Sequence, residues 1–252
     1  MKLKIMTYNV ASGRCYDKMD SEKKGYSDIT KCAEVIKNEA PVFCGLNEVN
    51  FHSDNRENAN QVEHIAKVAG FENHYFAKAI HIDMREHTRD YGNGFIANCP
   101  IISAETIAIP DAKVHDEKIP YESRCIAKVK LDIAGGITVL QTHFGLAISE
   151  HQNAVDTLCK VIDETDGPII LMGDFNIRPG DYLHRPLRER LFDTADIYPD
   201  KYMKTYPTYN EEGHPCCKID YIYVSKHFKT LSVSVPDTSV SDHHPMTAEV
   251  EI

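Results

Sequence analysis

Short apolar runs separated by polar segments recur along the whole chain, and they predict β-strands. The runs at 42–46 and 168–172 are apolar throughout, as in central strands covered on both faces. In 125–133, small or apolar residues alternate with polar ones, the period of a half-buried strand. Gly135 and Gly136 then predict a hairpin turn. The predicted strands are LKIMTYNV (3–10), VFCGL (42–46), GFIANCPII (94–102), CIAKVKLDI (125–133), GITVLQTHF (136–144), PIILMGD (168–174), IDYIYVS (219–225) and MTAEVEI (246–252).

Apolar residues recur at helical spacing between some of these runs, in 27–39, 58–69 and 151–164. Ser27 or Asp28 is a suitable N-cap for the first helix, which Pro41 follows, and Gly70 is a suitable stop for the second. The mixture predicts a sheet-rich α/β or α+β protein with helices on the outside. Because no linker, repeat or composition break is visible, we expect one domain over 1–252.

Two long polar segments, 78–91 and 201–217, interrupt this pattern. Their irregular sequence predicts surface loops, where substrate contacts often reside. In the second segment, His214, Cys216 and Cys217 are soft metal ligands. We do not favour a metal site there, because no second pair of such ligands stands at a useful spacing.

The charge balance narrows the range of partners. The 252 residues include 28 Lys and Arg against 38 Asp and Glu, a formal net charge of −10. Proteins that grip long duplex DNA by its phosphates usually carry a basic surface, so this balance argues against that class. It is compatible with a bound divalent cation. No apolar run approaches the roughly 20 residues of a membrane span, and the N-terminus has no secretory pattern, so we expect a cytoplasmic protein.

Polar residues with catalytic potential lie close to the ends of the predicted strands: Asn9, Glu48, His143, Asp174, Asn176, Asp220, Asp242 and His243. Singly, each is more often a turn residue or a solvated side chain. Together they are more informative, because strand ends on one edge of a sheet converge in space and α/β folds bind ligands there. Asp174 and Asn176 are two residues apart, which on an extended chain points both side chains the same way.

The chemistry of this set favours phosphate ester hydrolysis. Glu48, Asp174 and Asp242 are oxygen ligands suited to Mg²⁺ or Mn²⁺ rather than to a soft metal. A cation neutralises charge that develops on a phosphoryl group, an acid and an amide hold the attacking water, and a histidine supports the phosphoryl oxygens.

The order of the motifs, TYN, NEV, THF, GDFN, KID and SDH, resembles the endonuclease/exonuclease/phosphatase superfamily, and more specifically its small bacterial members. The resemblance extends from MTYNV to SDHHPMTAEVEI, and the segments YGNGFIANCPI and ESRCIAKVKL also share it. It implies a four-layer sandwich of two packed β-sheets flanked by helices, as in deoxyribonucleases, with a metal at one end.

The resemblance also implies a role for each matching position. Glu48 resembles the principal metal ligand, with Asn9 beside it and Asp242 as a further ligand or a support for the metal's water shell. Asp174 resembles the residue that orients and deprotonates the water. The remaining roles are positioning of the water or phosphate for Asn176, contact with the scissile phosphate for His243, orientation of that histidine for Asp220, a second phosphate-facing group for His143, and phosphate contacts for Asn93 and Arg124.

Three positions depart from the family's pattern or leave its partners open. Asn47 stands where the family usually has Gln before the metal Glu, which shortens a side chain behind the site. His244 follows the SDH motif, so a register shift between the two imidazoles is an alternative, and we favour His243. No residue in 116–124 is an obvious carboxylate partner for His143, although Glu122 is a candidate.

The leading hypothesis is a metal-dependent phosphoesterase that cleaves a phosphodiester or phosphomonoester. We expect the substrate to be a phosphorylated small molecule, a lipid headgroup or a short nucleic acid rather than long duplex DNA. A nuclease of the same superfamily is the alternative, and it requires basic residues such as Arg85, Arg89 and Arg124 around the mouth of the site. A non-catalytic metal- or phosphate-binding module ranks lower, because it has no need of the full set of acids, amides and histidines.

Overall fold

The computed structural model describes residues 1–16, 26–54, 58–198, 203–207, 217–238 and 240–252. Within these ranges, two six-stranded sheets pack face to face. The first has the order β13-β14-β1-β4-β6-β5, and its strands are β1 (Lys2–Asn9), β4 (Phe43–His52), β5 (Asn73–Asp83), β6 (Thr88–Ala97), β13 (Lys229–Ser234) and β14 (Met246–Glu251). The second has the order β11-β12-β10-β9-β8-β7, and its strands are β7 (Ile101–Ile109), β8 (Arg124–Leu131), β9 (Ile137–His143), β10 (Ile169–Asp174), β11 (Phe192–Asp193) and β12 (Asp220–Val224). A small ribbon joins β2 (Arg14–Cys15) to β3 (Tyr26–Ser27).

Helices cover the outer face of each sheet. Those on the first sheet are α1 (Ile29–Glu39) and α2 (Gln61–Ala69), and those on the second are α3 (Ile148–Asp163) and α4 (His184–Arg188). The resulting four layers confirm the predicted sandwich of two sheets flanked by helices. None of the described helices is long and apolar enough to span a membrane.

Strand β10 shows how the sandwich positions polar residues at its end. Ile170 and Met172 belong to the core between the sheets, whereas Ile169 and Leu171 pack on the helix side. Both faces are therefore apolar, as the continuous run at 168–172 predicts. Because side chains alternate between faces, Asp174 lies on the same face as Met172, between the two sheets, where the strand ends.

Two predictions about the middle of the chain are wrong. The run 94–102 is not one strand, because β6 ends at Ala97 in the first sheet and β7 begins at Ile101 in the second. A turn containing Pro100 crosses between the sheets, and proline has no N–H to continue a ladder. The segment 78–91 is not a loop but most of the β5–β6 hairpin. Strand β5 lies at the sheet edge, which tolerates its polar side chains.

The helices are confirmed with shifted ends. Asp28 caps α1 by accepting a 3.0 Å hydrogen bond from the Thr30 N–H, and Gly70 ends α2 in the left-handed region with φ of 81°. Helix α3 begins earlier than expected because Glu150 accepts the N–H groups of Leu146 and Ala147 at its start. The segment 201–217 lies outside the described residues except for 203–207 and Cys217.

Candidate active site

Four polar side chains meet where the sandwich opens at one end. Asn9, His143 and Asp174 are the last residues of β1, β9 and β10, and Asp220 is the first residue of β12. Asp174 pairs with His143 on one side and with Asp220 on the other. All four are buried. The strand-end positions predicted from the sequence therefore converge.

Glu48 reaches this place in an unexpected way. The sequence predicts that its strand ends here, but β4 continues to His52. Pairing with β6 shifts between Leu46 and Val49, and Glu48 itself has a positive φ of 57°. It thus occupies a β-bulge, a local distortion that redirects a side chain without ending the strand.

The Asn9 amide joins two carboxylates that are far apart in the sequence. Its Nδ2 donates to Glu48 Oε1 at 3.1 Å and to Asp174 Oδ2 at 3.0 Å, while its Oδ1 accepts the Ala11 N–H at 3.0 Å. Because both ends of the amide are engaged, its orientation is fixed. Asn9 holds Glu48 and Asp174 at a constant separation across the two sheets.

Asn176 is positioned by a turn rather than by an extended chain, which corrects the expectation for this pair. Its N–H donates to Asp174 Oδ1 at 3.0 Å, and its own φ is 52°. This is an Asx-type turn, which asparagine tolerates in the left-handed region. Its Nδ2 donates to the Phe144 carbonyl at 3.0 Å and to His143 Nε2 at 3.3 Å. With Nδ2 engaged, the carbonyl oxygen is the part of the amide available to a water.

His243 lies close to two acids of the second sheet, Asp174 and Asp220. Its Nδ1 lies 2.8 Å from Asp220 Oδ2, and its Nε2 lies 3.5 Å from Asp174 Oδ2. Tyr206 packs against the ring with centroids 4.7 Å apart. Burial lowers the pKa of His243, but the carboxylates of Asp220 and Asp174 outweigh it and raise the pKa to about 10. The imidazole is therefore held in its cationic form, with Nε2 facing Asp174.

His143 has the opposite protonation state. Burial, with the positive charges of Arg124 and His243, lowers its pKa well below the usual value of 6.5. The ring is therefore neutral, and its Nε2 is an acceptor for Asn176 Nδ2. Glu122, the candidate partner for His143, instead pairs with Arg124 at 2.8 Å.

The carboxyl groups of Asp174 and Glu48 both have raised pKa values. Burial raises the pKa of Asp174 to about 7, an effect that His243 opposes and Asp220 reinforces. Burial also raises the pKa of Glu48, against the hydrogen bond from Asn9. Carboxylates with perturbed pKa values in a cleft are typical of functional sites.

These groups surround a cavity of about 270 Å³. Asn9, Asp220 and Asn93 are buried behind its wall rather than in it. The predicted residues among its lining are Glu48, Arg124, His143, Asp174, Asn176, Asp242 and His243, and the others are Tyr91, Pro120, Glu122, Leu146 and Tyr206.

Arg124 and Asn93 were both predicted to contact phosphate, and the structure separates them. Arg124 is buried, donates from Nη2 to Glu122, and packs 6.0 Å from the centroid of the Tyr91 ring. Its Nε and Nη1 have no hydrogen-bond partner within the described part of the chain. Asn93 instead donates to the Cys125 carbonyl at 2.9 Å and accepts from Asn47. Asn93 therefore supports the wall from behind.

Asn47 links the two sheets directly behind the acids. Its Nδ2 donates to Asn93 Oδ1 at 2.9 Å and to the Thr142 carbonyl at 2.8 Å. Its Oδ1 accepts from Gln141 Nε2 at 2.9 Å and from the Asp174 N–H at 3.0 Å. Although the family usually has Gln at this position, the Asn47 amide has all its hydrogen-bonding groups engaged, and it fixes the backbone of Asp174.

Comparison with known proteins identifies the family of the chain. A family model described as the endonuclease/exonuclease/phosphatase family matches residues 6–243. The chain belongs to that family. Its members are generally hydrolases of phosphoester bonds.

Solved structures with the same fold include distant family members. An endonuclease/exonuclease/phosphatase from Beutenbergia cavernae DSM 12333 is 21% identical, with a TM-score of 0.80 over 100% of this chain and 72% of that one. A family member from Bacteroides thetaiotaomicron is 15% identical, with a TM-score of 0.76 over 99% and 98%. A mannosyl-6-phosphatase from Bacteroides thetaiotaomicron VPI-5482 is also 15% identical, with a TM-score of 0.75 over 99% and 100%. No curated protein matches the chain significantly.

The endonuclease/exonuclease/phosphatase family is typically dependent on a divalent metal, and the donors of this site fit a hard cation. Glu48 and Asp242 offer carboxylate oxygens at one cavity wall, and their mutual repulsion contributes to the raised pKa of Glu48. A cation between them would relieve that repulsion. Asp174, Asp220 and His243 also have ligand atoms within 4.8 Å of one another. In that second group, however, Asp220 Oδ2 and His243 Nδ1 are 2.8 Å apart, which is a hydrogen-bond distance, so these two side chains are already paired with each other.

Sequence reasoning also missed residues in and beside the cavity, among them Tyr91, Tyr206 and Glu150. Tyr91 and Tyr206 line the cavity as aromatic walls. Tyr91 lies two residues before Asn93, and Tyr206 lies in the predicted loop 201–217. Their closeness in the sequence to a predicted site residue or loop was the one signal that could have indicated them. Glu150 anchors the segment beside Leu146 through its carboxylate, which accepts three backbone N–H groups. A helix-start Glu is an ordinary capping pattern, so its sequence gave no reason to associate it with the site.

Proposed function

We propose that this protein is a Mg²⁺- or Mn²⁺-dependent hydrolase that cleaves a phosphate ester in a small phosphorylated molecule. One observation carries the proposal. Asp174 is linked to Glu48 through Asn9 and lies 3.5 Å from both His143 and His243. A base, a cation ligand and a cationic imidazole suited to phosphoryl oxygens are thus present around one small cavity.

Asp174 is the proposed general base. Its raised pKa gives it an affinity for a proton near neutral pH, which is the useful range for accepting one from water. Asn176, fixed by its bonds to Phe144 and His143, offers its carbonyl oxygen to position that water. The water gives one proton to Asp174 while its oxygen bonds to phosphorus in line with the ester bond. The ester P–O bond breaks, and the leaving alkoxide takes a proton from solvent to depart as the alcohol.

His243 and Arg124 are the proposed phosphoryl-binding groups. The His243 imidazolium, oriented by Asp220, stabilises negative charge on the phosphoryl oxygens. Arg124 adds a buried guanidinium whose Nε and Nη1 have no hydrogen-bond partner among the described residues. Glu48 and Asp242 would hold the cation, with Asn9 orienting Glu48, and the cation would supply further neutralisation of developing charge.

The lining of the cavity supports a small substrate. Among its lining residues, Arg124 is the one Lys or Arg side chain, against four carboxylates. Arg85 and Arg89, the basic residues that a nuclease needs at the mouth, do not line it. A long polyanion is therefore poorly matched. The fold shared with a mannosyl-6-phosphatase makes sugar phosphates the first class to test.

The test is a hydrolysis screen with Mg²⁺ or Mn²⁺ over sugar phosphates, phosphoinositides, bis-p-nitrophenyl phosphate, single-stranded RNA and abasic DNA. We expect release of phosphate or alcohol from a small ester, loss of that activity with EDTA, and a loss of about 10²–10⁴-fold in Asp174→Asn. Asp132→Asn, an exposed acid on another turn, is the matched control. Hydrolysis confined to nucleic acids, or an Asp174→Asn variant with wild-type turnover, would refute the proposal.

A further inference from the structure

A second group of metal-ligating side chains lies outside the catalytic cavity. His52 is the last residue of β4, Asp54 follows two residues later, and His87 directly precedes β6. His87 Nε2 lies 3.7 Å from Asp54 Oδ2, and the two imidazole rings have centroids 5.7 Å apart. One ligand atom from each of the three residues lies within 4.8 Å of the others.

The backbone holds these residues in fixed positions. The Ser53 N–H donates to the Thr88 carbonyl at 3.0 Å, and the Thr88 N–H donates to Ser53 Oγ at 2.8 Å. His52 is also in register with Arg89 of β6. His52 is therefore paired directly with β6, and Asp54 and His87 are next in sequence to Ser53 and Thr88, which bond each other. Side chains on such a rigid frame need little ordering to bind an ion.

We propose that His52, Asp54 and His87 bind a Zn²⁺ ion. Tetrahedral zinc holds imidazole nitrogens and carboxylate oxygens at about 2.0–2.2 Å, which separates its donors by roughly 3.4 Å. The observed 3.7 Å is close to this, and side-chain rotation closes the remaining gaps. Two imidazoles favour zinc over Mg²⁺, which prefers oxygen ligands. The side chains of Asp54 and His87 are 31% and 19% exposed, so a water can complete the coordination.

This site is separate from the catalytic one. Glu48 and His52 are four residues apart on β4, which at about 3.3 Å per residue is roughly 13 Å. None of the three zinc ligands lines the catalytic cavity. The ion would instead fasten the tip of the β5–β6 hairpin to the end of β4. Tyr91 follows on β6 and forms part of the cavity wall, so the fastening would stiffen that wall.

The test measures Zn²⁺ stoichiometry with a competing chromogenic chelator, and the visible spectrum of the Co²⁺-substituted protein. The variants are His52→Gln, His87→Gln, the exposed control His74→Gln, and Glu48→Gln to remove the catalytic ligand. Thermal melting monitored by circular dichroism establishes that each variant folds. The measurements do not use catalytic activity, so they stand whether or not the proposed hydrolase function holds.

We expect Glu48→Gln and His74→Gln to bind Zn²⁺ at this site as tightly as the wild type does. In His52→Gln and His87→Gln the affinity of this site for Zn²⁺ should fall at least tenfold. Zn²⁺ should also raise the melting temperature of the wild type but not of the two histidine variants, because an ion that binds only the folded state stabilises it. Equal Zn²⁺ binding in wild type and His87→Gln would overturn the proposal. So would binding that disappears in Glu48→Gln, since the ion would then occupy the cavity at Glu48.

Discussion

Replacing Asn47 with Ala tests whether its buried amide, which lies behind Glu48 and Asp174, holds the two packed sheets together. The substitution deletes four hydrogen bonds of 2.8–3.0 Å, and leaves Asn93, Gln141 and the backbone at Thr142 and Asp174 without those partners. A buried polar group left unsatisfied costs about 1–3 kcal/mol. Because some of the four can re-pair, we expect a loss of about 4 kcal/mol, a large share of a typical 5–15 kcal/mol stability.

Urea denaturation followed by tyrosine fluorescence and circular dichroism measures this loss. Asn73→Ala is the matched control, because its amide makes a single 3.4 Å bond to the Ala97 carbonyl, and it should cost less than about 1 kcal/mol. Asn47→Gln retains the amide but adds a methylene to a packed interior, so it should cost about 1–3 kcal/mol. If Asn47→Ala were no more destabilising than Asn73→Ala, the account of the inter-sheet amide would be wrong.

Three further predictions concern charge. Asp220 and Asp174 raise the pKa of His243 to about 10, so activity that needs the imidazolium is lost as the pH rises through that value. Asp220→Asn should move this alkaline limb of the pH–rate profile to lower pH. A limb that does not move would contradict the pairing of Asp220 with His243. Arg124→Ala removes charged donors worth about 1.5–3 kcal/mol, so kcat/KM for a phosphate ester should fall at least about tenfold in steady-state assays. Lys218→Met leaves Asp193 buried without its 2.8 Å partner. Urea denaturation should show a loss of about 3 kcal/mol in the free energy of unfolding, the lower end of the range for a broken buried ion pair, because Arg188 lies 3.6 Å from Asp193.

Prediction of the fold from sequence succeeded where burial alone decides the structure. The run at 168–172 is apolar on both faces because β10 lies inside the second sheet, between β9 and β12. It failed where backbone pairing outweighs side-chain pattern. Strand β5 carries Lys78, His81 and Asp83, and it forms because its backbone pairs with β6, a partner that a single-strand pattern does not reveal.

For the candidate site, sequence reasoning could anticipate which side chains regular strands bring close together. Asn9, His143 and Asp174 end strands on the inner face, and alternation alone brings them together. It failed for conformations set by backbone outliers. The bulge at Glu48 and the left-handed turn at Asn176 depend on positive φ values that no residue pattern near them required. The roles assigned to these side chains remain predictions for mutagenesis.

The Asn9 bridge has a consequence for how the protein loses activity. Glu48 belongs to the first sheet and Asp174 to the second, so the distance between them is a measure of the thickness of the sandwich. No single sheet carries the complete proposed site, and a partly opened protein that keeps only the second sheet lacks Glu48 and Asn9. Inactivation on heating should therefore coincide with separation of the sheets, which makes turnover itself a reporter of cooperative unfolding.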